Sequence, residues 1–308
     1  MIAVTGANGF VGAAVVAALA RSGRAVRPLG RASGADMVAV GDIGPDTDWS
    51  QALQGVTCVI HCAARVHVMK ETQADALAAF RSVNAAGTRR LAEEAAMAGV
   101  KRLVLVSSVK VNGEATLPGR PFRASDAPAP LDAYGQSKWE AEQALWAVCQ
   151  STGLQGVVVR PPLVYGPGVR ANMARLMKLV ASGLPLPLGG IRNRRSLVAL
   201  DNLSDLLVCC ANHPEAAGRS FLVSDGEDLS TPDLIRQMAQ AMGRSARLVS
   251  VPVGLLRLGA RLTGQQAEVA RLVDSLQVDL TPTRDTLGWA PPVSVLEGLQ
   301  KMVKGGIR

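Results

Sequence analysis

Up to about residue 160, short apolar runs alternate with longer amphipathic stretches. The runs lie at 2–5, 25–29, 37–40, 57–61, 103–107 and 156–160. They lack a polar residue at every second position, which is the pattern of strands covered on both faces. Between them, 9–21, 74–98 and 133–151 place apolar residues at helical spacing. The order strand, helix, strand predicts an α/β fold, a doubly wound parallel sheet. After Pro161 the chain turns to Gly- and Pro-rich loops and shorter elements, with a loop at 184–190 and a helix at 230–242. This predicts a smaller C-terminal α/β substrate lobe over 166–308. It is expected to interleave with the first domain (1–165, also receiving part of 196–225) and to cover the sheet's carboxyl edge, where open α/β sheets take ligands.

Composition narrows the function without deciding it. The chain has 308 residues, 48% apolar and 19% charged, which suits a soluble globular protein. No apolar stretch reaches the length of a membrane span, and the first strand begins at the N-terminus, so the expectation is a cytoplasmic protein without membrane insertion. Five cysteines (Cys58, Cys62, Cys149, Cys209, Cys210) and three histidines (His61, His67, His213) show no metal-ligand spacing, and reduced thiols are expected. The net charge of +8 raises nucleic acid as a partner, but aromatics make up only 3% and the basic residues are scattered. A cleft for an anionic small molecule explains the charge as well.

The first chemistry-bearing motif is Gly6-Ala7-Asn8-Gly9-Phe10-Val11-Gly12, set between the first strand and the first helix. Glycines there permit a tight turn and a close backbone approach to a pyrophosphate, which the helix N-terminus then favours. Gly6, Asn8, Gly9, Phe10, Val11 and Gly12 are therefore candidate dinucleotide contacts. The acid that usually binds the adenosine ribose at the end of the second strand is missing; the strand ends Leu29-Gly30-Arg31. Arg31, with Arg27 or Ser33, suits the 2′-phosphate of NADP, while a solvated Arg31 leaves NAD open. Asp42 and Ile43 are candidate adenine contacts. Cys62, Ala63 and Ala64 are small enough at the fourth strand's end to let the cofactor lie close.

Tyr134 and Lys138 stand four residues apart on one helix face. A nearby ammonium is expected to draw the tyrosine hydroxyl towards a working pKa. Ser107 and Ser108 close the fifth strand at the carboxyl edge, where a hydroxyl can hold a substrate oxygen.

Taken together these residues resemble the extended short-chain dehydrogenase/reductases, especially the branch of sugar-nucleotide epimerases, dehydratases and reductases. The matching positions span nearly the whole chain: Gly6-x-x-Gly9-x-x-Gly12, Asp42-Ile43, His61 to Ala64, Asn84-x-x-Gly87-Thr88, Val106-Ser107-Ser108, Tyr134-x-x-x-Lys138 and the run from Arg160 to Gly168. The resemblance implies an NAD(P)-binding Rossmann fold, with Ser108, Tyr134 and Lys138 catalytic. It also implies that Val106, Pro161, Leu163 and Val164 seat the nicotinamide. Ser107, Ser108 and Asn172 would meet the sugar, Pro187 and Leu188 the base, Arg194 the diphosphate, and Arg271 and Asp279 a phosphate and a ribose. A homodimer through the helices at 74–98 and 133–151 is a further implication.

Two departures bear on the reaction. Asn112 stands where the epimerases usually carry a tyrosine, and no Asp-Glu pair follows Ser108, which disfavours a dehydratase. The loop Arg65 to Met69, with His67, and the stretch Asn193 to Val198 resemble the bacterial reductases of 4-keto-6-deoxy-N-acetylhexosamine nucleotides that act in O-antigen synthesis. The leading expectation is therefore reduction of a 4-keto UDP-sugar, such as UDP-4-keto-6-deoxy-N-acetylglucosamine, by NADPH or NADH. The alternative is a UDP-hexose 4-epimerase with tightly held NAD. A non-enzymatic dinucleotide sensor on the same fold is disfavoured by the Tyr-Lys pair.

Overall fold

The computed structural model describes residues 1–34, 36–66 and 73–306. Strand β1 (Ile2–Thr5) leads to helix α1 (Phe10–Arg21), then β2 (Val26–Gly30), β3 (Val38–Ala39) and β4 (Cys58–His61). The stretch expected to be one helix at 74–98 is α2 (Gln73–Phe80), a π-helical segment at Arg81–Ala86, and α3 (Gly87–Met97). Next come β5 (Arg102–Val106), α4 (Ala133–Thr152), β6 (Gln155–Arg160), β7 (Leu163–Tyr165), α5 (Ala171–Ala181), β8 (Arg195–Ala199) and α6 (Leu200–Asn212). The chain continues through β9 (Arg219–Leu222), β10 (Asp228–Leu229), α7 (Thr231–Ala241), α8 (Val253–Thr263) and α9 (Gln266–Val273). It closes with α10 (Thr281–Leu287) and α11 (Val295–Lys304).

Seven strands form one sheet in the order β3-β2-β1-β4-β5-β6-β9, and every neighbouring pair is parallel. Successive side chains of a strand point to opposite faces, and here both faces are apolar. Ile2, Val4, Cys58, Ile60, Val104, Val157 and Val159 pack with Val15 and Leu19 of α1 and Leu203 and Leu207 of α6. Ala3, Val59, Leu103, Leu105 and Val158 pack on the other side with Leu91 of α3 and Ala141 and Leu145 of α4. This is the doubly wound sheet expected from the uninterrupted apolar runs. The strand order switches direction between β1 and β4, the place where open α/β sheets take ligands at the carboxyl edge.

A second, three-stranded sheet (β10-β8-β7) carries its own core with α5, α7 and α11. A buried polar knot joins it to the end of the large sheet. Tyr165 donates its hydroxyl to Asp225 Oδ2 at 2.7 Å, and Asp225 Oδ1 accepts from Ala199 N and Asn202 Nδ2, each at 2.7 Å. Asn202 then clasps the backbone of Val293 through both ends of its amide. Burial pushes the Asp225 carboxyl up, against the pull of these donors. Helix α11 can close over the knot because Gly298 has no side chain; a Cβ there would stand 2.8 Å from the Tyr165 hydroxyl. Among the described residues no helix is long and apolar enough to cross a membrane.

Asp225→Ala removes three buried hydrogen bonds at once and strands the Ala199 amide, so it is expected to cost about 2–4 kcal/mol. Urea unfolding checks this: the midpoint falls while the slope of the transition is kept.

Candidate active site

The glycine loop leaves β1 with Gly6 at φ +64°, and a Cβ there would press on Ala63 Cα at 2.9 Å. The positive φ and the close approach both call for glycine. At Gly12 a Cβ would meet Gly6 O at 2.1 Å, so the first turn of α1 lies directly on the loop. That turn begins at Gly9 with no side-chain cap and no acidic residue. Its backbone N–H groups and dipole are thus available to an anion, and the cradle fits the pyrophosphate of a dinucleotide. Phe10 packs into the core of the second lobe, Val11 packs towards α6, and Asn8 is exposed.

Beside the loop, Thr5 Oγ1 bonds His61 Nδ1 at 2.7 Å and accepts from Ala63 N at 3.2 Å, which fixes the turn of Cys62, Ala63 and Ala64 under the cradle. Burial, helped by Lys138, pushes His61 down to about 3, so its ring is neutral. Burial pushes the Cys62 thiol up to about 12, so it is no nucleophile. Ile43 lies against Gly87, where a Cβ would stand 2.6 Å from its Cγ2. Asn84, buried in the π-helical segment, bonds the backbone of Arg65 in both directions and Ser137 Oγ at 2.9 Å. It thereby ties the cofactor-side loop to α4.

Arg31 is exposed at the end of β2 and pairs with exposed Asp42 at 3.3 Å. Arg27 does not join them: its guanidinium donates to the carbonyls of Ala52 (2.9 Å) and Gln54 (2.7 Å). Ser33 is exposed on the turn beyond.

The candidate acid–base residues come together at the next edge position. Ser108 opens a 3₁₀ turn (Val109–Val111), and its hydroxyl accepts from Lys110 N at 3.2 Å. Asp132 caps α4 by accepting from Gly135 N at 2.7 Å and pairs with Lys110. Gly135 lets the helix start close on that turn, since a Cβ would stand 2.9 Å from Lys110 O. The Tyr134 hydroxyl is hydrogen-bonded to the Ser108 side chain, and its ring meets Phe80 edge-on at 6.0 Å. Burial, with Asp132 adding to it, pushes the Tyr134 hydroxyl up to about 12. The shift is opposite to the lowering expected from Lys138, and the Tyr134 hydroxyl stays protonated in the free protein. Lys138 is buried in the core beneath it. Burial pushes its ammonium down to about 8, opposed by the Glu142 carboxylate.

One further turn along α4, Glu142 is fully withdrawn from water. Arg160 of β6 grips it with two bonds, Nε to Oε1 at 2.9 Å and Nη2 to Oε2 at 2.6 Å. Ser107 donates to Glu142 Oε1 at 2.5 Å. Ser107 therefore faces the core and not the substrate side expected of it. Leu103, Leu105 and Ser107 share one strand parity, and the first two pack against α4. Asn112, where the epimerases usually carry tyrosine, accepts from Arg160 Nη1 at 3.1 Å and is likewise buried. Val106 is half-buried at the end of β5, and Pro161 O accepts from Val109 N at 3.0 Å. Leu163 and Val164 of β7 continue from there, exposed and half-buried.

The expected sugar-nucleotide contacts separate. Asn172 is exposed on the first turn of α5, just after Ala171 at φ +55°. Pro187 is exposed and Leu188 half-buried, in a loop whose Gly190 lies on Val251 O. Arg194 is exposed, whereas Arg195, next along, is half-buried and donates to Asp274 O at 3.0 Å. Burial pulls Arg195 down, Asp274 opposes this, and the like charge of Arg271 adds to the lowering. Two guanidiniums near one another suit a diphosphate, so Arg195 with Arg271 joins exposed Arg194 as a candidate clamp. Asp279 is committed elsewhere: it accepts from Thr281 N at 3.0 Å and pairs with Arg123 at 3.2 Å. His67 lies outside the described residues.

The NAD dependent epimerase/dehydratase family matches residues 2–224. The chain belongs to that family. It is 45% identical over 306 residues to the UDP-glucose 4-epimerase of Vibrio cholerae, covering 97% of this chain and 93% of that protein. Among solved structures it is similar to MoeE5 in complex with UDP-glucose and NAD, at 25% identity and TM-score 0.77, over 99% of this chain and 97% of that one. The UDP-N-acetylglucosamine 4-epimerase of Bacillus cereus shares the fold, with TM-score 0.80 at 19% identity, over 97% of this chain and 96% of that one. The chain is thus an enzyme of the extended short-chain dehydrogenase/reductase type from a family that uses NAD.

Two outcomes test the geometry. Gly135→Ala pushes the start of α4 off the Ser108 turn; kcat is expected to fall on the order of tenfold or more, with the thermal midpoint shifted by only a few degrees. Lys138→Met removes a buried ammonium that folding disfavours. Below pH 8 the proton is bound in both states and the penalty is full. Between about 8 and 10.5 the unfolded chain alone keeps it, so wild-type stability rises with pH. The variant is expected to be the more stable protein at pH 7, with the gap closing towards pH 10.5 in denaturant titrations.

Proposed function

We propose that the enzyme interconverts the C4 epimers of a UDP-hexose with a retained NAD. The observation that carries this is the Ser108–Tyr134–Lys138 group at the carboxyl edge of a glycine-loop sheet, in a chain 45% identical to a relative named UDP-glucose 4-epimerase. Bound in the cradle of Gly6, Gly9 and Gly12, the dinucleotide supplies a reversible hydride acceptor. The protein's own work is proton transfer and positioning. Tyr134 takes the C4 hydroxyl proton and gives it back, and Ser108 holds the same oxygen. Lys138, together with the positive charge that an oxidised dinucleotide would add, draws down the tyrosine hydroxyl that burial raises in the free protein. Arg195 and Arg271 would hold the diphosphate while the sugar turns. A homodimer through the exposed side of α2, α3 and α4 belongs to the same reading.

A second reading, reduction of a 4-keto UDP-sugar by NADPH, is favoured by Arg31. Its guanidinium is held by a carboxylate that a 2′-phosphate can displace, because exposed pairs are worth only ~0–1 kcal/mol. O-antigen synthesis would be its setting.

The readings part in one set of assays. Denaturation of purified protein is expected to release NAD, and UDP-glucose and UDP-galactose are expected to interconvert without net oxidation of added cofactor. Stoichiometric oxidation of NADPH by UDP-4-keto-6-deoxy-N-acetylglucosamine, with no interconversion, would install the reductase instead. Under either reading Tyr134→Phe is expected to lower kcat by roughly 10²–10⁴ while dinucleotide binding is kept.

A further inference from the structure

Helix α8 stands apart from the rest of the fold in how little of it is covered. Val253, Leu256 and Ala260, spaced three and four apart, turn towards the body, and Ala260 is its one buried residue. A second apolar stripe with the same spacing looks the other way: Leu255, Leu258 and Leu262 are 59%, 53% and 81% exposed. A helix with leucines on its outward side gains nothing from water, so the stripe calls for an apolar medium.

The charges around it say which one. Arg257 and Arg261 lie between the inner and outer stripes, and Arg257 is braced by Asp274 of the α9 junction at 2.7 Å. The segment entering the helix adds exposed Arg244, Arg247 and Val249. No carboxylate occurs between Asp233 and Glu268. Three leucines on one short helix offer far less than the ~800 Å² per partner that a stable protein interface buries. A second copy would also bring its own arginines against these. An acidic bilayer surface needs no shape match, accepts leucines at the acyl boundary and pairs its headgroups with arginines.

We propose that α8, with the segment 244–252, is a docking surface for membranes rich in acidic phospholipid. The helix lies in the headgroup plane with Leu255, Leu258 and Leu262 downward and the arginines at headgroup level. The enzyme is then a peripheral protein, held reversibly at the membrane. Helix α9, which packs on α8 and carries Arg271, is held near that surface. Such a docking surface would serve an epimerase and a reductase alike.

Sedimentation of the purified enzyme with vesicles tests this. Binding is expected to phosphatidylcholine vesicles containing phosphatidylglycerol, not to phosphatidylcholine alone, and to weaken as salt is raised. The variant Leu255→Gln/Leu258→Gln/Leu262→Gln is expected to lose on the order of tenfold or more in partitioning, and Arg247→Gln/Arg261→Gln to flatten the salt dependence. Both variants should keep the wild-type melting temperature and dinucleotide binding, which separates loss of the surface from loss of the fold. The proposal is overturned if neither vesicle pulls the enzyme down or if the leucine variant partitions as wild type does. It is also overturned if that variant instead splits a dimer in sedimentation equilibrium.

Discussion

Arg160 and Glu142 meet in the core, and α4 hangs on their contact. Withdrawing two opposite charges from water costs several kcal/mol per ion unless geometry and further hydrogen bonds compensate. Here they do. The guanidinium fork closes on both carboxylate oxygens, Ser107 adds a third bond to Glu142, and Asn112 Oδ1 and Ala124 O take Nη1. The pair fixes α4 both along its axis and about it. Since Tyr134, Lys138 and Glu142 stand at four-residue intervals, locking Glu142 inward aims the other two along the same side, towards the carboxyl edge. Lys138 gains twice: it is positioned, and its ammonium is held charged against burial by the carboxylate one turn on.

Much of this was readable in the sequence, for a physical reason. A parallel sheet covered on both faces demands uninterrupted apolar runs, so all six strands expected in the first 160 residues lie where those runs do. The glycine loop was readable because its context, between strand and helix at residue 6, leaves few other uses for three spaced glycines. What sequence order alone left open was direction. Ser107 and Ser108 are equal as letters, and strand parity with Leu103 and Leu105 assigns the first to the core. Arg195 likewise shares parity with Leu197 and Ala199, which face the second core, whereas Arg194 does not. The long helix at 74–98 hid its π-helical segment because nothing in apolar spacing marks an i→i+5 turn, yet that turn carries Asn84 to Ser137.

Asn112 shows how one substitution against the family pattern can be absorbed. Its amide accepts from Arg160 and donates to Arg123 O at 2.8 Å. It therefore links the buried ion pair to the 115–126 loop, whose Arg123 in turn meets Asp279. The residue is a structural joint, so its departure from tyrosine weighs on the packing beneath Ser108 and not directly on proton transfer.

The two lobes are joined by connections of different kinds, and this bears on how the site works. The knot of Tyr165, Asp225 and Asn202 is polar, buried and fully satisfied, which makes it stiff. Phe10, by contrast, crosses from the first turn of α1 into the second lobe's core by apolar packing alone, an interaction without direction. The turn that would carry the pyrophosphate thus rests on the lobe that would carry the sugar. Tyr134 depends on neither joint, because its place on α4 is set by the contact of Arg160 with Glu142 inside the first core.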